Sequence, residues 1–203
     1  MTPRIVAIVP AAGRSRRMGQ PKLLLKLGEK SVIARVVEAL RESGISKIVV
    51  VVRLDDTALA EEVERAGADL VQPETAPPDM RTSVEVAMAT LQKQAEAWDG
   101  WMLIPADHPT LDSSVVRQLV VDWAADFTRI AVPTWEGRRG HPTLFPWSTA
   151  TEVSQLPAHV GLNSLLRLRP DRVLEMPSTS AEILVDLDTP EDWERIVNRQ
   201  CER

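Results

Sequence analysis

Short apolar runs rich in β-branched residues alternate with amphipathic stretches along the chain, and this alternation restricts the fold more than any other feature. The runs predict buried strands, and the apolar residues at three- and four-residue spacing between them predict helices. Predicted strands cover 5–9, 48–52, 69–71, 100–104, 130–133 and 183–187, and predicted helices cover 31–42, 57–66, 82–96, 113–125 and 190–199. Because such alternation produces right-handed crossover units, we expect a three-layer α/β fold with a mixed, mostly parallel sheet.

The length and composition of the chain are those of an ordinary globular protein. Its 203 residues suit one domain, and 44% hydrophobic with 26% charged residues argue against disorder or a coiled coil. A formal net charge of −5 gives no general attraction for nucleic acid. The single cysteine, Cys201, has no partner for an internal disulfide, and the apolar run 5–9 is too short to cross a membrane. We therefore expect a cytoplasmic protein that binds neither nucleic acid nor membrane.

The most informative motif is the glycine-containing segment 10–22, which follows the first predicted strand directly. Its sequence is Pro-Ala-Ala-Gly-Arg-Ser-Arg-Arg-Met-Gly-Gln-Pro-Lys. Gly13 and Gly19 allow backbone conformations and a close ligand approach that a side chain would prevent, and turn amides of this kind bind anions. The segment lacks the Gly-Lys-Ser/Thr ending of a P-loop and the Gly-x-Gly-x-x-Gly spacing of a dinucleotide fold. We expect a phosphate-binding loop of another kind.

Polar side chains of the same segment fit the charge of a triphosphate. Arg17 and Lys22 would hold the β- and γ-phosphates and neutralise charge on a departing pyrophosphate, with Ser15 as a hydroxyl donor. A solvated basic turn is the alternative for an arginine-rich loop. The two spaced glycines and the position after a strand favour phosphate binding.

A second motif places Asp107 at the end of an apolar run, between Pro105 and Pro109. In α/β sheets, ligands bind at the carboxyl ends of the strands. A carboxylate there suits Mg²⁺, which takes few protein carboxylates and completes its shell with water and phosphate oxygens. The alternative is a turn or helix-capping aspartate, a role that Asp112 fits better because it precedes the helical pattern at Ser113. We expect Asp107 to be the first metal ligand.

A third motif has Asp186 and Asp188 near the end of the last predicted strand. Residues two apart share one face of a strand, so the pair predicts a second metal contact. Thr189 and Pro190 after them are a normal helix start, with threonine as the cap and proline as the first helical residue. The sequence leaves open whether Asp186 or Asp188 binds the metal.

Together the three motifs resemble those of the molybdenum cofactor cytidylyltransferases, within the wider group that includes the molybdopterin guanylyltransferases. The resemblance spans Ile5 to Trp193, and residues 11–22 match the family pattern Ala-Ala-Gly-x-Ser-x-Arg-Met-Gly-x-x-Lys at every fixed position. It implies a Rossmann-like nucleotide-diphospho-sugar transferase fold with a small acceptor-side insertion at about 135–168. The nucleotide-binding residues that it implies in this segment are Ala11, Ala12, Gly13, Ser15 and Gly19, with Ala12 favouring CTP over GTP.

Two further segments resemble the cytidylyltransferases. Residues 79–83 resemble a Gly-Met-x-x-Ser run, which implies that Met80 and Ser83 contact the base or ribose. Residues 137–145 resemble the family's Gly-x-x-Gly-His-Pro-x-Leu-Phe segment, which implies an acceptor-side loop. It also implies that Gly140, His141 and Pro142 bind the acceptor in that loop. The alternative for His141 is a hydrogen bond to the loop backbone alone.

One segment departs from the family. Where the cytidylyltransferases carry Gly-Asp-x-Gly-Ala-Arg before a helix, residues 158–163 read Ala-His-Val-Gly-Leu-Asn. The acid and the arginine are both missing, while Gly161 and the helical pattern remain. This departure does not affect the prediction of nucleotidyl transfer. It affects the prediction of the acceptor, because the missing residues belong to the family's pattern for a pterin acceptor.

These observations predict a Mg²⁺-dependent enzyme that transfers a nucleoside monophosphate from an NTP, expected to be CTP, to a phosphorylated acceptor and releases pyrophosphate. The resemblance implies molybdopterin as the acceptor, with a molybdoenzyme or its maturation chaperone as the partner that receives the product. The alternatives are GTP as donor, or a sugar phosphate, polyol phosphate or phosphocholine as acceptor. A different class of function is a noncatalytic NTP-binding or cofactor-delivery protein.

Overall fold

The computed structural model describes residues 2–94, 96–157 and 159–201. The side chain of Cys201, for which no disulfide partner is expected, lies outside the described part of the chain. No helix in the described residues is long and apolar enough to span a membrane.

Strands and helices alternate through most of the chain. The strands are β1 (Ile5–Pro10), β2 (Lys26–Leu27), β3 (Lys30–Ser31), β4 (Lys47–Val51), β5 (Asp69–Val71), β6 (Gly100–Leu103), β7 (Ile130–Trp135), β8 (Arg138–Arg139), β9 (Thr143–Pro146) and β10 (Val173–Pro177). The α-helices are α1 (Val32–Glu42), α2 (Thr57–Ala66), α3 (Met80–Gln92), α4 (Ser113–Trp123), α5 (Ala150–Gln155), α6 (Asn163–Leu168) and α7 (Pro190–Cys201). Short 3-10 helices cover Lys22–Leu24, Trp147–Thr149, Pro170–Arg172 and Ala181–Leu184.

The main sheet has the strand order β10-β7-β9-β6-β1-β4-β5, with β8 paired to β7 beside this path. Its strands pair in parallel except where β9 lies antiparallel between β6 and β7, and where β8 folds back on β7. The carboxyl ends of β1, β4, β6 and β7 therefore point to one edge. The predicted mixed, mostly parallel sheet is confirmed.

Helices cover both faces of this sheet, as the side-chain alternation in β1 shows. Ile5, Ala7 and Val9 lie in a core formed with α1, α2, α4 and α7. Val6 and Ile8 lie in a second core on the other face, formed with α3, α5 and α6. Strands buried on both faces have near-continuous apolar sequences, which explains why β1 could be predicted from the sequence. The three-layer prediction is confirmed.

Polar caps fix where the helices around the site begin. Asp79 accepts a hydrogen bond from the amide of Thr82 at 2.8 Å, so α3 begins at Met80, two residues before its predicted start. Asp112 accepts one from the amide of Ser114 at 2.8 Å, which confirms its predicted capping role. The predicted start of α7 at Pro190 is also confirmed.

The sequence prediction was wrong in the last third of the chain. No strand forms at 183–187; a 3-10 helix covers Ala181–Leu184, and an extended segment follows it outside the sheet. Its apolar residues were mistaken for a strand because Ile183 and Leu187 are buried, as strand residues would be. The strands β9 and β10 were missed. Because β9 lies within the main sheet, part of segment 135–168, expected as an insertion, is built into the sheet.

Candidate active site

A cleft of about 640 Å³ opens at the carboxyl ends of β1, β4 and β6. The loop after β1, the residue Arg53 after β4, the segment 76–80 before and at the start of α3, and residues 105–107 after β6 form its walls. Of the residues predicted to bind nucleotide or metal, those that line it are Ala11, Ala12, Gly13, Ser15, Arg17, Lys22, Met80, Ser83, Asp107 and Asp188. Gly19 and Asp186 are not in this lining.

The loop after β1 folds as a tight turn around Ser15. Ser15 has a positive φ of 48°, and its carbonyl accepts hydrogen bonds from the amides of Met18 and Gly19, both at 3.1 Å. Gly19 has a φ of 70°, a conformation that favours glycine, so its role is to close the turn. Gly13 has no positive φ, and a Cβ added to it would meet no atom within 4 Å. A side chain at Gly13 would therefore meet no protein atom in the described residues, and glycine keeps this part of the loop open toward the cleft.

Lys22 joins two segments that are far apart in the sequence. Its Nζ donates to Asp107 Oδ2 at 2.6 Å, to the carbonyl of Leu187 at 2.6 Å and to Asp188 Oδ1 at 2.9 Å. The backbone explains this convergence, because the amide of Leu187 donates to the carbonyl of Asp107 at 2.9 Å. The two carboxylates that the sequence placed in separate motifs thus face one cation.

The charge of Lys22 is secured by these ion pairs. Burial disfavours the ammonium form, but the interactions with Asp107 and Asp188 outweigh it and raise the pKa of Lys22 above its usual value. Arg17 reaches the other oxygen of Asp188, with Nη2 at 2.9 Å from Oδ2. The side chain of Arg17 is 71% exposed, against 15% for Lys22. Arg17 is therefore free to follow a ligand, whereas Lys22 is held in the cluster.

Asp186 lies in a different environment from Asp188. It lines a separate cavity of about 330 Å³ together with Trp135 and the arginines Arg138, Arg195 and Arg199. The expectation that both carboxylates share one face depended on a strand that does not form. The structure therefore brings Asp107 and Asp188 together and leaves Asp186 apart.

The predicted acceptor-side residues lie beside the cleft, behind Asp107. Gly140 packs so closely on the backbone of Ile183 that a Cβ would collide with its carbonyl, and Pro142 is buried. The amide of His141 donates to the carbonyl of Ile183 at 2.9 Å, and its ring meets that of His108 edge to face at 5.1 Å. None of the three predicted acceptor residues lines the cleft.

Both histidines are neutral at neutral pH. Burial lowers the pKa of His141 to about 4, and the neighbouring His108 contributes to the shift. Burial also lowers the pKa of His108. The Nδ1 atom of each ring is buried without a hydrogen-bond partner in the described part of the chain. The pair forms a polar contact between the acceptor-side loop and the strand end that carries Asp107.

Sequence reasoning missed Arg53, a buried residue of the cleft wall. Its guanidinium donates to the carbonyls of Ala12 and Gly13, at 3.1 and 2.8 Å from Nη1. The available signal was an arginine at the end of an otherwise apolar strand, where a charged side chain has few places to go except the edge where ligands bind.

Comparison with known proteins identifies the family of the chain. The MobA-like NTP transferase domain matches residues 7–174. The purine catabolism protein PucB of Bacillus subtilis (strain 168) is 28% identical over 211 aligned positions, covering 96% of this chain and 97% of that protein. The molybdenum cofactor cytidylyltransferase of Escherichia coli (strain K12) is 25% identical over 190 positions, covering 93% of each.

Among solved structures, Rv0371c from Mycobacterium tuberculosis H37Rv superposes with a TM-score of 0.83 at 25% identity, over 96% of this chain and 98% of that one. The family match covers most of the sheet. It also covers the loop after β1, whose carbonyls accept hydrogen bonds from Arg53. On this evidence the chain belongs to the MobA-like NTP transferase family and is a nucleotidyltransferase.

Proposed function

We propose that the protein is a Mg²⁺-dependent CTP:molybdopterin cytidylyltransferase that releases pyrophosphate and acts in the cytoplasm. The observation that carries the proposal is the convergence of Lys22, Asp107 and Asp188 in a cleft beside the loop after β1. This arrangement pairs cations for phosphates with carboxylates for a metal, and it needs no protein nucleophile.

The donor set in the cleft fits a hard divalent cation. Two carboxylate oxygens, from Asp107 and Asp188, and the carbonyl of Leu187 lie within 2.9 Å of one ammonium nitrogen. Mg²⁺ prefers such an all-oxygen set and keeps positions for water and phosphate oxygens. The described residues contain no cluster of three or more His, Cys, Asp or Glu side chains that would hold a metal alone. Asp107 and Asp188 would hold Mg²⁺, which when bound would polarise the phosphate oxygens at the reacting centre.

The protein residues would position the reactants and neutralise charge. The loop 12–17 would hold the β- and γ-phosphates, with Lys22 and Arg17 beside them. An oxygen of the acceptor phosphate attacks the α-phosphorus in line and forms the new P–O bond. The bond from the α-phosphorus to the β-phosphate oxygen breaks, and pyrophosphate leaves with the bonding electron pair. Lys22 and Arg17 stabilise the charge that grows on it.

The choice of CTP rests on two parts of the cleft wall. Ala12, which the family resemblance associates with cytosine, lines the cleft and is 9% exposed. Residues 76–80 and Ser83 face the same space from the start of α3. These segments would form the base and ribose pocket. The Escherichia coli relative named as a cytidylyltransferase supports the same choice.

A second candidate is nucleotidyl transfer to another phosphorylated acceptor, such as a sugar phosphate, a polyol phosphate or phosphocholine. It is favoured by segment 159–163, which lacks the acid and the arginine of the cytidylyltransferases. Instead, Arg81 of α3 donates to the carbonyls of Pro157 and Val160, at 2.5 and 3.3 Å. The preceding residue, Ala158, lies outside the described part of the chain.

Pyrophosphate release separates these functions. CTP, GTP, ATP and UTP are each incubated with Mg²⁺ and with molybdopterin, a sugar phosphate, a polyol phosphate or phosphocholine. The proposal expects release with CTP and molybdopterin well above every other pair. Release with a different acceptor would identify the second candidate, and preferential use of GTP would move the protein to the guanylyl branch. No release with any pair would leave a noncatalytic NTP-binding protein.

A further inference from the structure

Arg53 holds the phosphate loop through the loop's own carbonyl groups. The residue lies two positions after the end of β4, and its side chain is only 11% exposed. Nη1 donates to the carbonyl oxygens of Ala12 at 3.1 Å and Gly13 at 2.8 Å. Two consecutive carbonyls are thereby turned toward one guanidinium at the wall of the cleft.

Two further donors of Arg53 are also bound within the protein. Nε donates to Asp55 at 2.9 Å, and Nη2 donates to Asp56 at 3.0 Å. A guanidinium has five N–H groups, so the chain occupies four of them. The two carboxylates also balance the charge of the buried cation. Arg53 therefore has little capacity to bind a phosphate directly, although it lines the cleft.

The main chain of Arg53 is fixed as well. Its carbonyl accepts hydrogen bonds from Gln72 Nε2 at 3.0 Å and from the amide of Asp56 at 3.1 Å. Asp56 is in turn the N-cap of α2. Through its guanidinium and its carbonyl, Arg53 thus connects the loop after β1 to α2 and to the residue that follows β5. Because both sides of the contact are anchored, Arg53 can impose a conformation on the loop.

The consequence for the loop follows from peptide geometry. In a planar trans peptide the carbonyl of one residue and the amide of the next point in opposite directions. Carbonyls 12 and 13 point toward Arg53, so the amides of Gly13 and Arg14 point away from it. Across residues 2–94, 96–157 and 159–201, neither amide has a hydrogen-bond acceptor. Two aligned amides without acceptors are what an anion-binding turn requires.

We propose that Arg53 is a positioning residue, which sets the backbone amides of the phosphate loop for the triphosphate without touching it. The inference rests on the proposed function, because it assigns the loop to the β- and γ-phosphates. Lysine at this position would keep the charge but not the planar fork that spans two carbonyls and two carboxylates. The role therefore depends on the geometry of arginine and not on its charge alone.

The test compares Arg53→Lys with the parent protein. Inorganic tripolyphosphate, titrated by calorimetry, reports on the loop without base or acceptor. Loss of the two carbonyl contacts should weaken its binding about tenfold, as expected for roughly 1.4 kcal/mol. In steady-state assays the KM for CTP should rise more than kcat falls, and the KM for the acceptor should stay unchanged. CMP, which lacks the β- and γ-phosphates, should lose less affinity than CTP.

Arg129→Lys is the matched control. Arg129 also donates a guanidinium hydrogen bond to a backbone carbonyl, that of Val173 at 2.8 Å, but it lies at the amino ends of β7 and β10. Its replacement should leave tripolyphosphate binding at the parental value. Gln72→Leu, which removes only the support of the Arg53 carbonyl and changes no charge, should weaken binding about two- to threefold. It keeps the test decisive if Arg53→Lys does not fold.

The outcomes distinguish this inference from the proposed function. If the parent and the folded Arg53→Lys variant bind tripolyphosphate equally, Arg53 does not position the loop, and the proposed function is unaffected. If Arg53→Lys does not fold, parental binding by Gln72→Leu overturns the inference in the same way. If the parent itself does not bind tripolyphosphate, the loop is not a phosphate site and both proposals are wrong.

Discussion

The two sides of the carboxyl edge are built in different ways. On the proposed nucleotide side, one continuous segment, 10–22, supplies the turn, the backbone amides and the cations Arg17 and Lys22. On the acceptor side, the loop at 140–142 and segment 181–188 are joined only by tertiary contacts, such as the bond from His141 to Ile183. The proposed phosphate site would thus be encoded locally, whereas the proposed acceptor side depends on how distant segments pack. If these assignments hold, the acceptor preference would be able to diverge while the phosphate chemistry is kept.

The largest effect is expected from removing the cation at the centre of the nucleotide side. Lys22→Met should lower kcat by about 100- to 1000-fold, because a positioned charge at the leaving group contributes that much in a water-poor site. The measurement is steady-state pyrophosphate release at saturating CTP, with circular dichroism to verify the fold. Lys47→Met removes a lysine ion pair with Asp69 at the opposite edge of the sheet and should keep the parental rate. Near-normal turnover of Lys22→Met would contradict this view of the nucleotide side, because other residues would then neutralise the charge of the leaving pyrophosphate.

The next largest effect is expected from replacing the carboxylates of Asp107 and Asp188, and it should distinguish them from Asp186. Asp107→Asn and Asp188→Asn should each lower metal-dependent turnover on the order of 100-fold, because a metal contact is worth several kcal/mol in the transition state. Asp186→Asn should change it little, since Asp186 lines the separate cavity. Turnover is measured against Mg²⁺ concentration for all three folded variants. A parental Mg²⁺ response in Asp107→Asn would mean that the metal site is wrongly assigned.

A smaller effect concerns the base. If Ala12 and residues 79–83 define a cytosine pocket, CTP should exceed GTP in kcat/KM by at least about tenfold. Both nucleotides compete in one reaction, and the products are separated by chromatography. The comparison is sharpened if the same ratio holds with two different acceptors, because the nucleotide side would then select independently of the acceptor side. A ratio that reverses with the acceptor would show that the two sides are coupled.

Replacement of His141 is expected to have the smallest effect on turnover. It should have a measurable effect on how the free energy of unfolding depends on pH. The folded pKa of His141, about 4, lies below the usual 6.5, so the unfolded chain takes up a proton first as the pH falls. The stability from burying the neutral ring is therefore present above pH 6.5 and is lost between about 6.5 and 4, up to about 3 kcal/mol. Urea unfolding at pH 7.5 and 5 measures it.

His141→Leu should reduce this pH dependence, whereas His159→Gln, at an exposed position, should preserve it. Part of the dependence will remain in His141→Leu, because burial also lowers the pKa of His108. Equal pH dependence in the parent and His141→Leu would show that the acceptor-side histidine is not buried as described.

The sequence predicted the first two thirds of the fold well and the last third poorly. Strand β5 and helix α2 have their predicted bounds, because β-branched runs and 3.6-residue periodicity are local signals. Strand β9 is four residues long and lies next to Pro142, so its sequence carries little strand signal. Strand β10 has partly exposed residues, which interrupt the apolar run that marked the other strands.

The site was predictable where its residues are consecutive. The contact of Asp188 with Lys22 was not, because it follows from the backbone bond between Leu187 and Asp107 that joins segments 80 positions apart. Leu187, which makes this bond, is fully buried between the two aspartates. Asp186 and Asp188 therefore lie on either side of it and line different cavities. The contact of Arg53 with the loop after β1 was overlooked because it is made to backbone carbonyls, which have no signature in a sequence.

The position of Lys22 makes the resting site self-neutralised. A divalent ion that enters between Asp107 and Asp188 must displace an ammonium group that is tethered to the chain and so present at high effective concentration. A bare ion has to compete with that group, whereas a nucleotide offers Lys22 phosphate oxygens as new partners. On the proposed assignment, exchange of partners would replace capture of free metal, so the affinity for metal alone would be low and the ion would be best accepted together with the triphosphate.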